Sequence, residues 1–194
     1  MAGDPRPVCT IIICTLAVSE RADSLGRAVA SVLGHNDTPT SVLVVVNGDR
    51  YDEKLVAELK RRDDVDVLQI AARSLSDAIV AGRRAVKSPY FGFLDDDDEY
   101  LPQAVDLRLA ELERYPEAGV LVTNGYRCRE NSRETVMNHL SLVTEDPLTA
   151  IFREPWLASC SALYRTAVAR EDLFEKVARY AEWSRPFTPD NARP

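Results

Sequence analysis

A chain of 194 residues with 45% hydrophobic and 28% charged residues has the composition of one globular domain, or of one domain plus a small appendage, and excludes extensive disorder. Its net charge of −7 argues against a general nucleic-acid or anionic-membrane surface, so a phosphate-bearing ligand needs local cations or a metal. No apolar run approaches the roughly 20 residues of a spanning helix, the opening Met1-Ala2-Gly3-Asp4-Pro5 is polar without a targeting signal, and the reading is a soluble, cytoplasmic protein.

Val8 to Cys14 is a β-branched run suited to a strand buried on both faces. Leu25, Ala28, Val29, Val32 and Leu33 then recur at helical spacing and stop at Gly34. Val42 to Val46 predicts a second strand, closed by Asn47-Gly48-Asp49, and Leu55, Val56 and Leu59 mark one face of the next helix. Val65 to Ile70 predicts a third strand, and a helix from Ser76 carries Ile79, Gly82 and Val86 towards the core. Tyr90 to Leu94 predicts the fourth strand. These alternations imply a doubly wound, mainly parallel α/β sheet with helices on both faces.

The fourth strand runs straight into Asp95-Asp96-Asp97-Asp98-Glu99, followed by Tyr100-Leu101-Pro102 and a helix to about Tyr115. Two carboxylates about 5 Å apart repel by about 3 kcal/mol at an effective dielectric near 20. Either the acids all face water, or a hard divalent cation draws two or three together, with bound phosphate completing its shell. The carboxyl end of a strand in an open α/β sheet favours the metal. Further on, Val120 to Thr123 predicts a strand, Glu130 to Glu134 a loop, Thr135 to Val143 a strand, Pro147 to Phe152 a short helix and Thr166 to Trp183 a last helix, before a tail over 186–194. Cys9, Cys14, Cys128 and Cys160 lack paired metal-ligand spacing, and Cys9 and Cys14 read as buried thiols. His35 and His139 have no visible partner for metal or triad work.

Taken in order, Val8-Cys9-Thr10-Ile11-Ile12-Ile13-Cys14-Thr15, Val44-Val45-Val46-Asn47-Gly48-Asp49, Ser74-Leu75-Ser76-Asp77-Ala78 and Phe93 through Pro102 resemble the family-2 glycosyltransferases, nucleotide-sugar-dependent enzymes with the GT-A fold. The resemblance implies a single domain over 1–185, with a nucleotide-binding part at about 8–102 and an acceptor-side part at about 103–185. It implies Mg²⁺ or Mn²⁺ on Asp95, Asp97 and Asp98, and a nucleotide sugar on Thr15, Asn47, Asp49, Asp77, Asp95 and Asp96. Asp77 could equally cap its helix.

Where the family often has Tyr-Asn this chain has Leu16 and Ala17, and where it often has Ala-Arg-Asn this chain has Ala78, Ile79 and Val80. Trp156 through Arg165 resembles the family's acceptor-side segment, and Glu182, between Tyr180 and Trp183, takes the place of the catalytic base; the alternative for Glu182 is a surface helix acid. The implied reaction is metal-dependent, inverting transfer from a UDP-, dTDP- or GDP-sugar to a hydroxyl-bearing acceptor, saccharide or small molecule. A homodimer stays open, and so do two other functions: a non-catalytic nucleotide-sugar-binding or assembly protein, and, ranked below it, an Asp-x-Asp phosphatase.

Overall fold

The structure, a computed structural model, describes residues 6–129, 132–153 and 156–169. The first half is four strand–helix units: β1 (Cys9–Thr15) and α1 (Ala22–Leu33), β2 (Thr40–Asn47) and α2 (Glu53–Lys60), β3 (Val65–Ile70) and α3 (Leu75–Ala85), then β4 (Tyr90–Asp95) and α4 (Ala104–Arg114). β5 (Val120–Val122), a hairpin of β6 (Tyr126–Arg129) and β7 (Ser132–Thr135), α5 (Leu140–Glu145), α6 (Pro147–Ala150) and β8 (Ala162–Arg165) follow. The main sheet has the order β3-β2-β1-β4-β8-β5. Its first four strands are parallel, and β8 runs antiparallel to both β4 and β5.

The unbroken apolar runs of β1 and β2 follow from burial on both sides. Ile11, Ile13, Val42, Val44 and Val46 pack with Leu25, Val29 and Val32 of α1, Val56 and Leu59 of α2, and Val105, Leu109 and Leu112 of α4. Ile12, Leu43, Val45, Phe91 and Phe93 form the opposite layer with Ala78 of α3. Two helix ends carry the caps that their sequences supply: Asp52 accepts from the N–H groups of Lys54 and Leu55 at the start of α2, and Ser74 accepts from the N–H of Asp77 at the start of α3.

Gly82 sets how closely α3 approaches the sheet. A Cβ there would stand 2.6 Å from Cγ2 of Ile12 and 3.1 Å from Cγ2 of Val45, so a side chain forces the helix outward. Gly82→Val is therefore expected to cost about 2–3 kcal/mol as overpacking, read as a melting point lower by roughly 4–12 °C. An unchanged melting point would show that α3 does not pack that closely.

Three expectations need correction. Thr135 to Val143 is not a strand: the strand is Ser132–Thr135, and Leu140–Glu145 is helical. Of the stretch read as a loop over Glu130 to Glu134, Ser132 to Glu134 lie in β7, and β6 and β7 are exposed in every position and so carry no alternating apolar pattern. Pro102 does not open α4, because Gln103 adopts φ 60° and hands its N–H to the carbonyl of His35, delaying the helix to Ala104. The predicted last helix begins in a described turn, Thr166 to Val168, and the rest of it, with the tail, lies outside the described residues. Among the described residues no helix is long and apolar enough to cross a membrane.

Candidate donor site

The parallel register brings the carboxyl ends of β2, β1 and β4 into one row. Thr15 stands beside Val46, one residue before Asn47, and Cys14 stands beside Asp95. The Asn47-Gly48-Asp49 turn, the β1–α1 loop and the acidic corner therefore share one edge, the crevice where open α/β sheets bind ligands. Asn47 is buried there; Gly48 takes a left-handed φ of 88°, and its lack of a Cβ leaves room for Arg73 to lie against it.

The four aspartates of the corner have different environments. Asp96 is only 7% exposed and turns inward. One of its oxygens accepts from the Thr15 hydroxyl at 2.6 Å and the other pairs with the Arg21 guanidinium. Arg21 also reaches Asp97 at 3.2 Å, and the Asp97 side chain is 60% exposed. Asp95 ends β4 with its residue exposed, and its carbonyl accepts the N–H of Asp98 in the tight turn. The Asp98 carboxylate is met by the Cys160 thiol, whose pKa rises to about 12 through burial first and this hydrogen bond second. Burial, reinforced by Asp95 and Asp96, pushes Cys14 up to about 12 as well.

Thr15 is committed inward. Its hydroxyl donates to Asp96 and accepts from the N–H of Ala17 at 2.9 Å, and Ala17 holds a left-handed φ of 49°. Thr15→Val keeps the shape and strands both partners, so a loss of about 2–4 kcal/mol is expected from two unmade buried hydrogen bonds. Thr15→Ser keeps the hydroxyl and most of the stability. Equal denaturation midpoints for the two variants would mean that the hydroxyl carries no structural weight.

Asp49 is held by the Arg73 fork, with bonds of 2.7 and 2.8 Å, and this hydrogen bonding holds its carboxyl below the usual carboxylate range. Asp77 sits exposed in the first turn of α3, where the cap is Ser74 and Asp77 supplies only its N–H. Behind the corner, the Tyr100 hydroxyl donates to the carbonyl of Phe93 and its backbone N–H to the hydroxyl of Ser31, which ties the loop to β4 and α1. Glu182 lies outside the described residues.

The residues that sequence reasoning missed are Arg21 and Arg73. Each pairs with its aspartate across a long separation in the chain, 75 residues for Arg21 and Asp96 and 24 for Arg73 and Asp49, and no periodicity announces such pairs. Together they place two guanidinium groups on the edge of an acidic protein, as a phosphate-bearing ligand requires.

The sequence profile described as Glycosyl transferase family 2 matches residues 10–177, most of the chain. The protein belongs to glycosyl transferase family 2. Two solved structures are similar to this family member in fold. Residues 1–349 of TarS from S. aureus match with a TM-score of 0.57 at 17% identity, over 84% of this chain and 48% of that one. The same TarS fragment in complex with UDP matches with a TM-score of 0.58 at 16% identity, over 88% and 54%. The chain thus spans about half the length of the structures it matches, and the likeness supports a GT-A-like, mainly parallel mixed sheet. No curated protein sequence matches it.

The family resemblance implies a divalent cation, and the corner offers the right chemistry for one. Its donors are hard carboxylate oxygens, with Asp95 and Asp97 exposed at the strand end. Among the described residues no group of three or more potential ligands is arranged to hold a metal ion. A cation there would accordingly be held by only one or two carboxylates, with phosphate oxygens completing its shell.

Proposed function

We propose that this family-2 member transfers a sugar from a nucleoside diphosphate donor to a hydroxyl acceptor with inversion at the anomeric carbon. The observation that carries the reading is the shared edge of Thr15, Asn47 to Asp49 and Asp95 to Asp98 within a chain of this family. Asp95 and Asp97 would hold Mg²⁺ or Mn²⁺, with Asp98 beside them. A cation bound there neutralises charge on the departing diphosphate.

The chain's own groups do the rest. Asn47 and the Arg73-braced Asp49 line the place for the base, and Asn47 can both donate to it and accept from it. UDP is the first nucleotide to try, because a TarS structure of the same fold is a complex with UDP; dTDP and GDP come next. Asp96 contributes indirectly, by fixing Thr15 and Arg21. Glu182 is the proposed base that takes the acceptor proton, and the acceptor is a saccharide or small molecule.

A thermal-shift screen of UDP, dTDP, GDP and their sugars, with and without Mn²⁺, tests the reading. A ligand at a hundredfold excess over its Kd stabilises by about 2.7 kcal/mol. Failure of every nucleotide to raise the melting point would sink the donor site. A second reading, a nucleotide-sugar-binding protein without transfer, is favoured by Leu16, Ala17, Ile79 and Val80 standing where the family often has polar residues. It predicts the same shifts with no product formed.

A further inference from the structure

Arg21 is the corner's own cation. It sits at the end of a 3₁₀ turn, Ser19–Arg21, directly before α1, and its side chain is 42% exposed. Its two partners differ sharply. Asp96 is buried and pinned on its other oxygen by Thr15, so its charge has no solvent to turn to and holds the guanidinium in place. Asp97 is largely exposed, and its contact is the looser of the two.

We propose that Arg21 is an exchangeable counter-charge for the donor site. It occupies Asp97 while the site is empty, yields that carboxylate when a divalent cation enters, and then turns the freed guanidinium donors to the donor's diphosphate. The inference rests on the donor-site reading above. Asp96 is the pivot that keeps Arg21 at the mouth through the exchange, because a guanidinium fork can hold one carboxylate and still present donors to a second anion. The two roles pull in opposite directions: against a bare cation Arg21 is a competitor, and towards a diphosphate it is a ligand.

That opposition can be measured on the full chain by calorimetric titration. Arg21→Gln keeps a donor for Asp96 and removes the charge. Its affinity for Mn²⁺ alone should rise several-fold, since a positive charge a few ångströms from the ion is gone. Its affinity for UDP, dTDP or GDP, whichever the wild type binds, should fall about tenfold at saturating Mn²⁺. Arg21→Lys puts the charge on one nitrogen of a shorter side chain and lacks the guanidinium donors left over once Nη1 meets both carboxylates, so it should shift both affinities the same ways by less. It also serves as the reading variant if the Gln chain does not fold by circular dichroism.

A folded variant in which either affinity is unchanged, or in which both move in the same direction, overturns the role of Arg21 while leaving the donor site standing. A wild-type chain that binds none of the three diphosphates with Mn²⁺ overturns the donor site itself, and the role of Arg21 with it.

Discussion

Asp97→Ala is expected to abolish the Mn²⁺-dependent part of the stabilisation that a nucleoside diphosphate gives the wild-type chain. At a hundredfold excess over Kd the whole stabilisation is about 2.7 kcal/mol, or roughly 5–11 °C of melting temperature for a chain of this size, and the Mn²⁺-dependent part is the share of it lost when Mn²⁺ is left out. Asp97 is chosen over Asp96 because its side chain faces solvent at the end of β4, whereas Asp96 has both oxygens engaged by Thr15 and Arg21. Without ligand the variant should melt at or above the wild-type temperature. Its contact with Arg21 joins two well-exposed side chains and is worth at most about 1 kcal/mol, and its removal relieves like-charge repulsion in the corner. A metal-dependent shift that survives in the variant would falsify Asp97 as a ligand.

Glu182→Gln should have the complementary phenotype, with donor binding kept and transfer lowered by about 10²–10⁴-fold. The amide keeps the size and hydrogen bonding of the carboxylate and cannot accept the acceptor's proton. Other acids after the corner are poorer candidates. The Asp146 carboxylate already caps α6 by accepting the N–H of Thr149, and that bonding with Thr149 holds its pKa low. Glu145 ends α5 in an exposed, turn-like position. Glu182 lies beyond the family match, which ends at residue 177, so the assignment rests on its sequence context of Tyr180 and Trp183. Transfer at the wild-type rate removes Glu182 as base, whereas lost donor binding makes it a structural residue.

The legible parts of the sequence were those in which one physical signal dominates. β3 was read with both ends correct from Val65 to Ile70, and β1, β2 and β4 to within a few residues, because a strand buried on both faces is a plain apolar run. The acidic corner was legible as a place for the opposite reason, because five acids close an apolar strand, with Asp95 ending β4. β8 was missed as a strand because four residues, Ala162 to Arg165, carry too short a pattern, and its partners β4 and β5 lie far back in the chain. α5 was misread because Val136, Met137, Leu140, Leu142 and Val143 suit a strand as well as a helix. At the site, sequence gave the carboxylates and not the guanidinium groups that partner them, since tertiary ion pairs leave no local trace.

The position of β8 bears on how the protein is made. β4, which carries the acidic corner, is flanked by β1 on one side and β8 on the other, and Tyr164 of β8 stacks on Phe91 at 5.0 Å between ring centroids. Arg165 then bonds the hydroxyl of Tyr90 and the carbonyls of Leu112 and Ala118, so one short strand ties β4 to the end of α4. On a ribosome adding roughly 5–20 residues per second, β4 emerges several seconds before the strand that covers it. During that interval the nascent chain presents an apolar strand edge with unpaired backbone groups, the feature that nucleates mispairing between chains. Ending synthesis before Ala162 would leave that edge open permanently, so a fragment that stops after the acidic corner should aggregate, even though it contains every aspartate of the proposed donor site.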